Sequence, residues 1–142
     1  MSKEQDLGEI FPKGEKISAD YFTGTAWLTA LVPKDETGRY TVANVVFEPG
    51  CRNNWHTHPA GQILLIIEGN GWYQERGKPA RALTKGDVVT IPSAVEHWHG
   101  ATRDSGFTHI AITNITEKGP VEWLTPVTDV EYNGVHEMNY EL

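Results

Sequence analysis

The stretch Trp55-His56-Thr57-His58-Pro59-Ala60-Gly61-Gln62 decides how the rest of this 142-residue chain is interpreted. Two histidines separated by one residue point the same way on an extended strand, because side chains alternate between its two faces. Such a pair of imidazoles can bind one metal ion. Pro59-Ala60-Gly61 indicates a turn, and Gln62 then opens the apolar run Ile63–Ile67. Gln62 would therefore face the histidine pair across the turn.

A second cluster, Glu96-His97-Trp98-His99, lies further along the chain and can supply a third imidazole. Three imidazoles at this spacing inside apolar strands favour a metal site over a merely polar barrel interior. Gln62 is either a direct ligand through its amide oxygen or a residue that only hydrogen-bonds His56 or His58, and we favour ligation. Trp55 and Trp98, which are next to His56 and His97 in the sequence, point away from the metal and are expected to pack.

Composition restricts the class of protein. A chain of this length, with 39% hydrophobic residues, predicts one packed domain over residues 1–142. The net charge of −7 argues against nucleic acid and against a membrane surface as partners. The polar opening predicts no signal peptide, and Ile63–Ile67 is too short to span a membrane. Cys51 is the only cysteine, so we expect no internal disulfide and a reducing cytoplasmic location.

Many short strands separated by turns predict an all-β sandwich or barrel with its core at about residues 25–115. The strand from Tyr40 to Glu48 carries Thr41, Ala43, Val45 and Phe47 on one face. The other face presents Val42 and Val46, which a single small domain would leave exposed to water. We therefore predict that a second copy covers this face in a homodimer. Gly69-Asn70-Gly71 predicts a tight hairpin turn.

The two ends of the chain are less patterned. Residues 1 to about 20 are polar and are interpreted as a surface arm. Thr128 with Glu131 three residues later forms a capping-box pattern, which predicts a short helical turn. The tail from Asn133 has no usable pattern, and His136 within it is expected to be exposed.

The motif spacings resemble the cupin superfamily. Gly50, His56, His58, Gln62 and Gly69 follow its first motif, with glutamine in place of the commoner glutamate. Gly86, Pro92 and His97 match the second motif of the superfamily. The resemblance implies a jelly-roll barrel of cupin type, and implies that His56, His58, Gln62 and His97 bind one divalent metal ion.

A narrower resemblance is to small bacterial single-domain cupins that include manganese-dependent hydroxynitrile lyases. It rests on Trp55–Gln62, Glu96–Ala101, Thr108–Ile112 and Val121–Trp123. It implies manganese, with iron, nickel or zinc as other candidates. It also implies a small-molecule substrate and reversible cleavage of cyanohydrins to an aldehyde and hydrogen cyanide.

Within that interpretation, neutral ligands leave the full 2+ charge on the ion, which favours Lewis-acid chemistry over oxygen activation. His99 and His109 share strand faces with the lumen, so each is a candidate for proton transfer or a satisfied core histidine. Ala43, Val45 and Thr113 are expected to shape the pocket. Two alternatives stay open: a dioxygenase or isomerase, and a metal-assisted binder of small ligands without catalysis.

Overall fold

The structure is a computed structural model that describes residues 10–141, without the side chains of Asp35 and of residues 138–141. This part of the chain forms twelve strands and two helices. The helices are α1 (Lys34–Thr37) and α2 (Asp129–Glu141). The strands are β1 (Glu15–Lys16), β2 (Phe22–Thr23), β3 (Ala26–Val32), β4 (Tyr40–Phe47), β5 (Arg52–Asn53), β6 (His56–Thr57), β7 (Gln62–Glu75), β8 (Arg81–Thr84), β9 (Val88–Ile91), β10 (His97–Ala101), β11 (Phe107–Asn114) and β12 (Glu122–Trp123).

The strands form a curled antiparallel sheet that confirms the all-β jelly-roll prediction. β1, β3, β4, β11 and β9 pair in one layer with the first half of β7. β8, β10, β5, β2, β6 and β12 form the second layer with the last part of β7. β7 therefore belongs to both layers and holds them together.

The tight turn predicted at Gly69-Asn70-Gly71 is wrong, because β7 runs without interruption from Gln62 to Glu75. Gly69 has φ +76° and marks the corner at which the strand leaves one layer for the other. A Cβ built on Gly69 would overlap the carbonyl oxygen of Gly106. A glycine is therefore required here for a sheet corner.

Apolar side chains fill the space between the layers, as strand alternation requires. Phe47, Leu64, Ile91 and Phe107 are each at most 1% exposed within this core. Cys51 is buried in the same cluster, and burial raises the pKa of its thiol to about 12. Cys51 is thus an inert core residue in the thiol form.

Helix α2 begins with the predicted capping box, since Thr128 and Glu131 exchange hydrogen bonds of 2.9 and 3.1 Å. It is longer than the single turn expected from the sequence. Tyr132 donates a 2.6 Å hydrogen bond to the carbonyl oxygen of Ala101, so the helix is docked on the second layer. Trp55 and Trp98 pack beneath α2 in a second buried cluster, which agrees with their expected packing role.

His136 is half-buried instead of exposed, contrary to the expectation from the sequence. Its Nε2 accepts a 3.1 Å hydrogen bond from the indole of Trp72. Its Nδ1 lies 3.0 Å from the carbonyl oxygen of Tyr132. Among residues 10–141, no helix has the length and apolar character needed to cross a membrane.

Candidate metal centre

Strand pairing brings together the four side chains that the sequence nominated as ligands. His56 on β6 pairs directly with His97 on β10, and their ring centroids are 4.2 Å apart. His58 follows β6, with its centroid 4.9 Å from that of His56 and 5.4 Å from that of His97. Gln62 opens β7, and all four residues are at most 8% exposed. The site is therefore assembled from three strands and the turn between them.

Backbone carbonyl groups fix the tautomer of His56, His58 and His97. In each ring, Nδ1 lies within hydrogen-bond distance of a carbonyl oxygen, which can only accept. Nδ1 therefore carries the proton, and the Nε2 lone pair is free. The Nε2 atoms of His58 and His97 are buried and have no hydrogen-bond partner. The three carbonyl groups belong to Asn54 (2.7 Å), Pro120 (2.8 Å) and Val95 (2.8 Å).

The amide of Gln62 is oriented in the same way. Its Nε2 donates a 2.8 Å hydrogen bond to Oγ1 of Thr113 on β11. Its Oε1 is buried and has no partner among the described residues. Since a buried oxygen without a partner is unfavourable, Oε1 is a candidate for a ligand atom. Thr113 was expected only to line the pocket, and it orients Gln62 as well.

Burial keeps these imidazoles neutral, which is the form that binds a metal ion. Burial lowers the pKa of His56 well below its ordinary value, and the nearby His97 and His58 add to this effect. Burial also lowers the pKa of His97 to about 4. Burial also lowers the pKa of His58, although the carbonyl group of Pro120 and the neighbouring side chain of Gln62 oppose the shift.

His99 also lies close to this site. His56, His97 and His99 each have a ring nitrogen that lies within 4.8 Å of a ring nitrogen of the other two residues. These three histidines could therefore hold a metal ion. However, Asn53 Nδ2 lies 3.2 and 3.3 Å from the two ring nitrogens of His99. Asn53 Oδ1 also accepts the backbone N–H of His99 at 2.9 Å. His99 thus already has a side-chain partner, whereas His58 Nε2 has none.

His109 lies behind His99, with their ring centroids 4.9 Å apart. It is 1% exposed, and neither ring nitrogen has a hydrogen-bond partner among the described residues. Phe47 and Phe107 pack against its ring at centroid distances of 5.4 and 5.5 Å. Burial lowers the pKa of His109 to about 3, so the imidazole is neutral at pH 7.

Replacing His109 by leucine should stabilise the metal-free protein. The substitution removes a buried polar ring without partners, so we expect the free energy of unfolding at pH 7 to rise by about 1–3 kcal/mol. Urea denaturation of both forms measures the difference. A variant less stable than the wild type would show that the imidazole is satisfied in the folded protein.

The same pair of proteins tests the pKa of His109. Its folded-state pKa of about 3 lies below the ordinary 6.5, so the unfolded chain binds the proton first. The free energy of unfolding therefore has its full value above pH 6.5 and decreases as the pH falls from 6.5 toward 3, because protons bind to the unfolded chain. Between pH 7 and pH 4 the wild type should lose roughly 3 kcal/mol more than His109→Leu. Equal losses would contradict a depressed pKa.

A cavity of about 240 Å³ opens beside three of the four candidate ligands, namely His56, His58 and Gln62. Ala43, Val45 and Thr113 line it, as do His99 and His109. None of the described residues that line the cavity is a lysine, arginine, aspartate or glutamate. Its walls are therefore uncharged and combine apolar side chains with imidazole and amide groups.

Sequence reasoning missed two neighbours of the site. Asn53, which contacts His99, lies three residues before His56, on a strand whose partner is distant in sequence. Trp123 on β12 pairs with His56, and their ring centroids are 4.8 Å apart. No local pattern connects either residue to the histidines, because strand pairing alone brings them together.

Fold and site define a small jelly-roll barrel with a cluster of buried histidines in its interior. Residues 43–113 match the family described as Cupin domain, and the chain belongs to this family. It is 40% identical over 117 residues to an (R)-mandelonitrile lyase from Granulicella tundricola, covering 82% of this chain and 89% of that protein.

Solved structures give the same result. A cupin-like protein from Thermotoga maritima superposes with a TM-score of 0.86 at 52% identity, covering 89% of this chain and 96% of that one. A predicted oxalate decarboxylase from Thermotoga maritima superposes with a TM-score of 0.63 at 22% identity, over 78% of this chain and 91% of its own. The second structure shares the fold alone.

Proposed function

We propose that this protein is a mononuclear metal-dependent enzyme that cleaves cyanohydrins to an aldehyde and hydrogen cyanide. One observation carries the proposal. Each of His56, His58, His97 and Gln62 uses its other polar atom in a hydrogen bond, which leaves one acceptor atom free. The 40% identity to an (R)-mandelonitrile lyase supports the choice of reaction.

The chemistry of the free acceptors suits a single divalent ion. Three Nε2 atoms and the Oε1 of Gln62 give a neutral set of nitrogen and oxygen donors, which suits Mn²⁺, Fe²⁺, Ni²⁺ or Zn²⁺. We propose manganese, on the resemblance to the manganese-dependent lyases. A bound ion would supply Lewis-acid polarisation of the substrate oxygen or the leaving anion. His99 is excluded from our ligand set because Asn53 already contacts its ring.

His99 and His109 are the residues proposed to move the proton. Cleavage breaks the C–C bond to the nitrile, whose electron pair leaves with cyanide while the hydroxyl oxygen becomes the carbonyl oxygen. The hydroxyl proton passes to a ring nitrogen of His99 or His109 and is then delivered to cyanide. Burial lowers the pKa of both imidazoles and keeps them neutral, so each ring has one nitrogen without a proton.

Turnover of mandelonitrile tests the proposal. Protein reconstituted with Mn²⁺ should release benzaldehyde and cyanide, and chelation should abolish the release. A rate equal to that of buffer would refute lyase activity. Oxygen uptake on a candidate substrate would instead indicate a dioxygenase, and ligand binding without any turnover would indicate a binding protein.

We also propose that the protein is a cytoplasmic homodimer. The outer face of the first layer presents Val42, Val46 and Ile112, which are half-buried, and Ile63, which is 37% exposed. A second copy would cover this apolar face. Sedimentation at micromolar concentration should give twice the monomer mass, and Ile63→Lys should shift the protein toward monomer. A wild type that sediments as a monomer would contradict the proposal.

A further inference from the structure

We propose that Tyr21 and Trp123 form an aromatic clasp that determines which apolar substituents the cavity accepts. The inference rests on the proposed function only in taking the cavity as the substrate site. The two rings are stacked, with centroids 4.7 Å apart and planes 16° apart. Both side chains line the cavity, although they lie on segments far apart in sequence.

Each half of the aromatic clasp is fixed to the segment that carries His56. The backbone N–H of Asn54 donates a 2.9 Å hydrogen bond to the carbonyl oxygen of Tyr21. Trp123 pairs with His56 through β12 and β6, and its ring also packs on the imidazole of His56. The clasp therefore has a defined position relative to the candidate metal ligands.

The clasp lies at the rim of the cavity. Tyr21 is 39% exposed although it lines the cavity, whereas His99 and His109 are 4% and 1% exposed. The cavity therefore extends from buried imidazoles to an aromatic pair in contact with solvent. Phe22, with its centroid 6.1 Å from that of Trp123, and Leu28 extend the apolar surface on the same lining.

The contrast between the buried imidazoles and the partly exposed aromatic clasp orients a substrate. With the reacting oxygen at the candidate ligands, the rest of the molecule extends past Trp123, which packs on His56, toward the exposed ring of Tyr21. The described lining residues offer no charged side chain to an ionic substituent, and a desolvated charge without a partner is unfavourable. Aromatic pairs add an affinity that corresponds to roughly 2- to 10-fold, so an aryl substituent should be preferred over a small alkyl one.

Tyr21→Ala tests the clasp, and Tyr40→Ala is the matched control. Tyr40 is 38% exposed, almost the same as Tyr21, and does not line the cavity. With Mn²⁺-loaded protein, the ratio of kcat/KM for mandelonitrile to that for 2-hydroxypropanenitrile should fall roughly 2- to 10-fold in Tyr21→Ala. The fall should arise from KM, with kcat little changed. The ratio in Tyr40→Ala should equal that of the wild type.

A second pair of variants examines the other half of the clasp. Trp123→Phe should retain the preference for the aryl substrate, and Trp123→Leu should lose it. The inference would be overturned if Trp123→Leu lost kcat/KM equally on both substrates. It would also be overturned if the kcat/KM ratio of Tyr21→Ala equalled that of the wild type.

Binding separates this inference from the proposed function. If the wild type cleaves neither cyanohydrin, the proposed reaction fails, and the clasp is then tested by the affinities for benzyl alcohol and 1-propanol in ligand-observed NMR. Tyr21→Ala should weaken the affinity for benzyl alcohol roughly 2- to 10-fold and leave the affinity for 1-propanol unchanged. Equal affinity of the wild type and Tyr21→Ala for benzyl alcohol, or no binding of it to the wild type, would overturn the clasp.

Discussion

Gly69→Ala should lower the free energy of unfolding by about 2–5 kcal/mol. Gly69 has φ +76°, and an L-residue in that conformation costs roughly 1–2 kcal/mol. The added Cβ would also overlap the backbone of Gly106, and relieving such overpacking typically costs about 1–3 kcal/mol more. Because β7 crosses between the two layers at this residue, no flexible side chain can move away to make room.

Gly77→Ala is the matched control for Gly69→Ala. Gly77 has φ +81°, but a Cβ built there meets no atom within 4 Å. Only the conformational cost of about 1–2 kcal/mol is expected. Urea denaturation of both variants measures the difference. Equal losses in the two variants would show that the sheet corner accommodates a side chain, and that its close approach to Gly106 does not restrict the fold.

Metal removal should lower the melting temperature by about 5–10 °C. An ion that binds only the native state contributes about 2.7 kcal/mol at 100-fold over Kd, and a domain of this size converts that into several degrees. His97→Ala should abolish the rise in melting temperature that Mn²⁺ causes. Mutating a residue that only hydrogen-bonds a metal ligand can weaken metal affinity ~100-fold, and loss of a ligand itself should weaken it at least as much.

His136→Ala is the control for this loss of response. His136 hydrogen-bonds Trp72 and does not line the cavity, so its removal can lower stability without changing the shift caused by Mn²⁺. A wild type whose melting temperature is the same with chelator and with saturating Mn²⁺ would contradict a native metal site. A full Mn²⁺ response in His97→Ala would exclude His97 as a ligand.

The spacing of the first motif predicted the part of the site that is local in sequence. His56, His58 and Gln62 lie on either side of one turn, so the alternation of an extended chain is enough to bring them together. His97 comes from a strand 41 residues beyond His56, as their numbers in the sequence show. The cluster Glu96–His99 and the resemblance to cupins both indicated His97 as a further ligand, whereas its strand pairing with His56 was not predicted.

The partners that orient the ligands could not be predicted. The carbonyl groups of Asn54, Pro120 and Val95 have no sequence signature, because every residue has one. Gly69 shows a second limit, since Gly-Asn-Gly suits a hairpin turn and a sheet corner equally well. The approach of Gly106, which is distant in sequence, decides between them.

The tail shows a third limit. Asn133 and Gly134 are poor helix formers in the middle of α2, so local propensity predicts no helix there. The helix is stabilised by tertiary contacts instead. Arg52 donates a 2.8 Å hydrogen bond to the carbonyl oxygen of Val127 just before α2, and its guanidinium lies 4.5 Å from the ring centroid of Tyr132.

The central claim is that Gln62 Oε1 and three Nε2 atoms bind one divalent ion, and calorimetric titration of Mn²⁺ into the wild type and Gln62→Glu tests it most directly. The substitution is nearly isosteric, and its carboxylate adds a negative charge at the ligand position. Both forms should bind one ion per chain, with higher affinity in Gln62→Glu, whereas Lewis-acid turnover should fall. Weaker binding by Gln62→Glu would contradict the assignment of Gln62 as a ligand.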